Sequence, residues 1–308
     1  MQNLATMGGL TEHDLAQRRH WITATDAAKI MGTSPFGTSY DVYLEKCVEM
    51  EPRDDSPALL WGRMMEPVIL SFAEITLRRH LGDPELRLTK AGVRRRHRNN
   101  AMSATLDALV KGHRAAIEAK THAAVHGRVD LTQWGEEEWS DAIPPYYLDQ
   151  VLHQLACAPD LDRIYVVLSV ARGVPKFYCV ERSLHLDRIA QIENACCDFM
   201  EQHIQPNIPP TDVGPTMDAV RRVRVPATNE TPVQLDDVRL ERSKKIGSLL
   251  NRLKKHKDDL DASLKASMIG AKFGISPKGH RLAITSYNHK TYTVEGGPVS
   301  RMDITLTR

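Results

Sequence analysis

The sequence predicts a mixed α/β fold, and three observations carry that prediction. Amphipathic helical segments and short apolar runs of strand length follow one another through the first two thirds of the chain. Lys111-Gly112-His113-Arg114 joins two of those runs as a glycine-containing hairpin turn would. Six prolines between His203 and Pro232 interrupt any helix there. They divide the sequence into a body over residues 10–205, a proline-rich connector over 206–232 and an extension over 233–308.

Within the body, Ala24–Met31 reads as a short helix, because Thr23 or Thr25 can cap its first amides and Gly32 can end it. Tyr40–Cys47 and Leu60–Arg79 read as further helices. The period then changes: Met102–Val110 and Ala115–Lys120 read as a strand pair. Pro144 and Pro145 introduce an apolar helix from Tyr146 to Cys157. Ile164–Ala171 and Lys176–Glu181 read as a second strand pair, and Leu184–His203 closes the body as a helix. In the extension, Ile246, Leu250, Leu253, Leu260, Leu264 and Met268 recur mostly at steps of three and four, so Asp237–Ile269 reads as one long helix or a broken pair. Alternation over Arg281–Arg308 reads as β-structure.

Composition bounds the function. With 308 residues, 42% hydrophobic and 26% charged, the chain has the makings of a folded core and lacks the profile of a disordered one. The 41 basic and 39 acidic residues leave a net charge of +2, so any polyanion must be held by local clusters rather than by the whole field. No apolar run approaches the roughly 18 residues of a membrane-spanning helix, and without a hydrophobic signal core the expected location is the cytoplasm. Five cysteines, an odd number with no C-x-x-C pair, favour free thiols over disulfides or an iron–sulfur cluster.

One constellation carries chemistry. Asp107 stands at one strand, and Glu118-Ala119-Lys120 follows on the next. Residues two apart on a strand share a face, so Glu118 and Lys120 point the same way and Ala119 the other. Two carboxylates, a backbone carbonyl and waters suit Mg²⁺ or Mn²⁺. Lys120 could orient a water or stabilise developing charge. The combination suits metal-assisted phosphodiester hydrolysis, although charged residues on alternating strands also line ordinary solvated faces.

The surrounding motifs narrow the reading. Ile22-Thr23-Ala24-Thr25-Asp26, then Trp61 to Pro67, then the acid and acid-x-lysine pair, then Pro145-Tyr146-Tyr147-Leu148-Asp149-Gln150 to Leu155 stand in one order. Together they resemble the YqaJ-like viral recombinase family, relatives of phage lambda exonuclease among the PD-(D/E)xK nucleases. The resemblance covers about residues 15–205. It implies a restriction-endonuclease-like core with a mixed central sheet flanked by helices. It also implies Mg²⁺-dependent, 5′-to-3′ digestion of linear double-stranded DNA, which leaves a 3′ single strand for an annealing protein in phage or prophage recombination.

By that resemblance Asp107, Glu118 and the Ala119 carbonyl are metal ligands, Lys120 is the catalytic lysine, and Glu66 and Gln150 complete the catalytic set. Arg18 and Thr25 correspond to a 5′-phosphate pocket, and a ring-shaped homotrimer is the family's best-known assembly. Departures are Ala108 and Leu152, where the family commonly has glycine and glutamine, and Thr25, which replaces a serine but keeps its hydroxyl. Arg94, Arg95 and Arg96 lie in an acid-free basic run suited to the DNA backbone. A non-catalytic DNA-end-binding protein and an endonuclease of the same superfamily are the alternative readings.

Overall fold

A computed structural model of the chain describes residues 18–51, 56–90, 94–122, 131–170, 173–224, 234–271, 273–279 and 281–283. The chain divides into two units, Met1–Val225 and Pro226–Arg308. Helix α1 (Ala24–Ile30) starts where Thr23 is extended, and the Asp26 carboxylate accepts from the Thr23 N–H and Oγ1. It ends before Gly32, whose φ of 72° suits a residue without a Cβ. Helix α2 (Ser39–Cys47) has a reciprocal cap between Thr38 and Asp41. Helix α3 (Pro57–His80) is capped by Ser56, carries proline at its first position and runs through Pro67.

The body's sheet has five strands in the order β1-β4-β5-β6-β7: β1 (Leu88–Lys90), β4 (Ala108–Val110), β5 (Ala115–His122), β6 (Arg163–Val170) and β7 (Lys176–Glu181). Among these described strands only β5 and β6 are parallel. Their crossover carries helix α4 (Pro145–Cys157), as a parallel connection requires. The predicted hairpin forms, with Gly112 at φ 82°. The run read as a single strand from Met102 to Val110 is instead two pieces. β3 (Ser103–Ala104) pairs with β2 (Arg95–Arg96), while β4 pairs with β5. Between the pieces the chain leaves the ladder, and Asp107 takes the Ala119 N–H on its side chain.

Alternation along the strands sorts the core. Ala116, Ile164, Val166, Leu168, Tyr178 and Val180 pack with α1, α4 and helix α5 (Leu186–Phe199). Ala108, Val110, Ala115, Ile117, Tyr165, Val167 and Phe177 pack against Ile69, Ala73 and Leu77 of α3. A π-helical turn, Met200–Ile204, continues α5.

Within the proline-rich segment the gap between Pro215 and Pro226 admits helix α6 (Met217–Arg222). This segment is tied to the body by Thr216 N–H to Asp41 Oδ1, by a bridge between Met50 and Val223, and by Arg224 pairing with Glu49 and Glu51. In the second unit helix α7 (Asp237–Ala266) is capped by Asp236. It is followed by the hairpin of β8 (Phe273–Ile275) and β9 (Arg281–Ala283). The β-structure expected over 284–308 lies outside the described residues.

Candidate active site

The site lies where β5 outruns β4. Antiparallel pairing stops at Ala108 with Ile117, so Glu118, Ala119 and Lys120 keep a strand neighbour only in β6. On the open side Asp107 Oδ2 accepts the Ala119 N–H at 2.8 Å. The N–H and C=O of one strand residue point to the same side, so the Ala119 carbonyl faces the side on which Asp107 stands. Glu118 and Lys120 share the face of Ala116 and meet α4, while Ala119 packs with the α3 cluster.

Helix α4 is buried from Asp149 to Cys157, with four polar side chains among them. Each finds a partner. Gln150 Nε2 donates to Glu118 Oε1 at 2.6 Å, and Gln154 Nε2 donates to Glu118 Oε2 at 2.7 Å. Lys120 Nζ lies 2.6 Å from Glu118 Oε1 and 3.1 Å from Gln150 Oε1, over the ring of Tyr147 at 4.8 Å. His153 faces the other way, its Nε2 against the Ile22 carbonyl. Asp149 is clamped by Arg188 at 2.8 and 2.9 Å. The spacing of Gln150 and Gln154, one helical turn apart, is the signal for the second glutamine, which the motif reading left out of the site.

Burial raises the Asp107 carboxyl well above the usual carboxylate range, and the Glu118 charge pushes it further. The Ala119 amide and Lys120 pull the other way, while Glu66 adds a smaller upward push. Glu66 therefore belongs to the field of the site. Gly62, one turn earlier on α3, lies close to β5: a Cβ there would sit 3.4 Å from Thr121 Oγ1.

The donor set fits a hard divalent cation. A carboxylate offers about four lone-pair sites; Glu118 spends three on Lys120, Gln150 and Gln154, and Asp107 spends one on Ala119. The Glu118 charge that opposes ionisation of the buried Asp107 would be offset by a cation. Gln154 Oε1 is buried without a hydrogen-bond partner, which water carried by a hydrated ion would supply. Among the described residues no three His, Cys, Asp or Glu side chains converge as a cage.

The other predicted residues stand apart from these contacts. The Arg18 carbonyl accepts from Lys46 Nζ at 2.8 Å, and Thr25 is exposed, its Oγ1 3.3 Å from Thr23 Oγ1. The first turn of α1 holds an anion of its own. Asp26 is paired with Lys46 at 2.7 Å; burial opposes its charge, but Lys46 and Lys29 overcome that and hold the carboxyl far below its usual range. Arg96 and Arg94 lie 4.5 and 5.2 Å from the centre of the Trp21 ring, and Arg95 pairs with Asp160 at 3.4 Å.

A mixed sheet whose neighbouring segments bring an aspartate and a Glu-x-Lys pair together, backed by helix glutamines, defines a protein of the PD-(D/E)xK class. Residues 15–159 match the YqaJ-like viral recombinase domain, to which this part of the chain is similar. The uncharacterized protein YqaJ of Bacillus subtilis strain 168 is 25% identical over 267 residues, covering 84% of this chain and 79% of that protein. Among solved structures, the alkaline exonuclease LHK-Exo of Laribacter hongkongensis is similar with a TM-score of 0.46 at 21% identity, over 64% of this chain and 94% of that one. A phage related exonuclease of Haemophilus somnus 129PT gives a TM-score of 0.41 at 12% identity, over 60% and 96%. Among the described residues no helix is long and apolar enough to cross a membrane.

Proposed function

We propose that the chain is a Mg²⁺-dependent deoxyribonuclease, with Mn²⁺ able to substitute, that digests linear double-stranded DNA from 5′ to 3′. Its product is a 3′ single strand for phage-type recombination by single-strand annealing. The observation that carries this reading is the convergence of Asp107, Glu118, Lys120 and Gln150. The family's description as a viral recombinase domain supports the recombination role.

Asp107, Glu118 and the Ala119 carbonyl would hold the ion, which supplies a Lewis acid for the phosphodiester and acidifies an attacking water. Lys120, restrained by Glu118 and Gln150, presents its ammonium where charge develops on the phosphoryl oxygens. Gln150 and Gln154 fix the Glu118 carboxylate from both oxygens, so that it does not reorganise during the reaction. Glu66 keeps the site acidic from α3. Arg18 and Thr25 would hold the 5′-phosphate, and Arg94, Arg95 and Arg96 the duplex backbone. The working form would be a homo-oligomer, a trimeric ring by family resemblance, acting with an annealing protein in the cytoplasm of a bacterium that carries the phage or prophage.

The test is digestion of linear duplex labelled at 5′ or 3′ ends, with Mg²⁺ or with chelator. Loss from 5′ ends only with Mg²⁺, abolished by Asp107→Ala and Glu118→Ala with DNA binding retained, is the expected result. Undiminished digestion by either variant would falsify the site.

A further inference from the structure

We infer that Phe36 and Tyr146 form a stacking seat for a base at the DNA end, one or two nucleotides from the linkage that Lys120 faces. The inference deepens the nuclease reading and rests on it.

An unbroken series of rings leads from the lysine to solvent. Lys120 Nζ lies over Tyr147 at 4.8 Å, Tyr147 is 4.2 Å from Tyr146, and Tyr146 meets Phe36 edge to face at 5.5 Å. Tyr147 is backed by Trp134. Phe36, at the outer end, is 66% exposed, so its ring surface faces water rather than the core.

That exposure is held in place. The turn carrying Phe36 is anchored by the Thr33 and Ser34 amides to the Ala28 carbonyl. The Thr33 hydroxyl donates to Asp149 Oδ2 at 2.7 Å, and Asp149 is itself clamped by Arg188. The Phe36 N–H donates to Ser34 Oγ at 3.2 Å. At Gly37 a Cβ would come within 2.9 Å of Asp41 Oδ2, so the turn fits closely against α2. A ring on an anchored turn and two-thirds exposed contributes little burial to folding but is positioned for a planar apolar ligand.

Beside a phosphodiester-cutting lysine, the planar ligand is a nucleobase. Every base has a π-face, so stacking grips any sequence, and an aromatic ring typically strengthens binding severalfold or more. This is the grip required by an enzyme that digests DNA without reading it.

The experiment uses full-length protein and a linear duplex with 5-iododeoxyuridine in the first two 5′ nucleotides, bound in chelator and irradiated. The crosslink should map to Phe36 or Tyr146. In steady-state digestion with Mg²⁺, Phe36→Leu keeps an apolar cover over Tyr146 but removes the π-face, and its KM should rise about tenfold. Phe36→Trp should restore it. A crosslink mapping elsewhere, or a Phe36→Leu enzyme with wild-type KM, overturns the seat. Failure of the wild-type chain to cut DNA at all would overturn the nuclease reading instead.

Discussion

Acidification should destabilise the body through His153, and the size of the effect follows from its surroundings. The imidazole is fully buried. Its Nε2–H donates to the Ile22 carbonyl at 3.2 Å, and Nδ1 lies 3.9 Å from Cys157 Sγ. Burial is the main cause that pushes its pKa from 6.5 down to about 4; Asp26 and the Ile22 carbonyl oppose that shift. The unfolded chain therefore takes up a proton between pH 6.5 and 4 that the folded chain refuses. Stability is full above pH 6.5 and falls as pH drops through that window. At about 1.4 kcal/mol per pH unit, the loss is about 2.5 kcal/mol by pH 4.5. His153→Gln keeps an N–H for Ile22 but cannot titrate. Urea unfolding followed by tryptophan fluorescence at pH 7 and pH 4.5 should show the wild type losing about 2.5 kcal/mol more than the variant. Asp107, whose raised pKa acts in the opposite sense, is common to both proteins and cancels. Equal losses in the two proteins, or an imidazole titrating near 6.5 in the folded state, would refute the argument.

Three further outcomes are expected. Mg²⁺ should raise the melting temperature of the wild type, by about 2.7 kcal/mol of stability at one hundred times Kd, and leave Asp107→Asn unmoved; calorimetry with and without chelator checks this. Gln154→Leu should lower cleavage and divalent affinity about 10- to 100-fold by freeing Glu118 Oε2, read from rates across a Mg²⁺ titration, with circular dichroism unchanged. Arg188→Ala should cost about 3 kcal/mol in chemical denaturation, because Asp149, 1% exposed, loses its bidentate partner; in the Asp149→Asn background the same change should cost far less.

Much of the fold was legible because its signals are local. Thr23 before Ala24, and Pro144 and Pro145 before Tyr146, mark helix starts that the structure keeps within a residue or so. Gly112 marks the hairpin turn. The break at Thr105–Asp107 was not read, since Asp107, though a poor strand former, can also end a strand on a solvated face. The strand ends there because a side chain binds an amide twelve residues away. The segment from Thr216 to Arg224 was likewise hidden: prolines mark where a helix cannot run, but not that Asp41 and Glu45 receive the chain between them.

The sequence by itself determined which residue types are available at what spacing: an acid, then Glu-x-Lys on one strand face, then two glutamines one helical turn apart. Periodicity is a property of the local backbone, so it survives without any tertiary information. Only the tertiary structure decided that these residues meet. Helix α4 must cross from β5 to β6 and bury its polar face over the strand for Gln150 and Gln154 to reach Glu118. Likewise β4 must stop short for Asp107 to face Ala119. Such contacts depend on where separate elements pack, and packing is settled by the shared core rather than by any one segment.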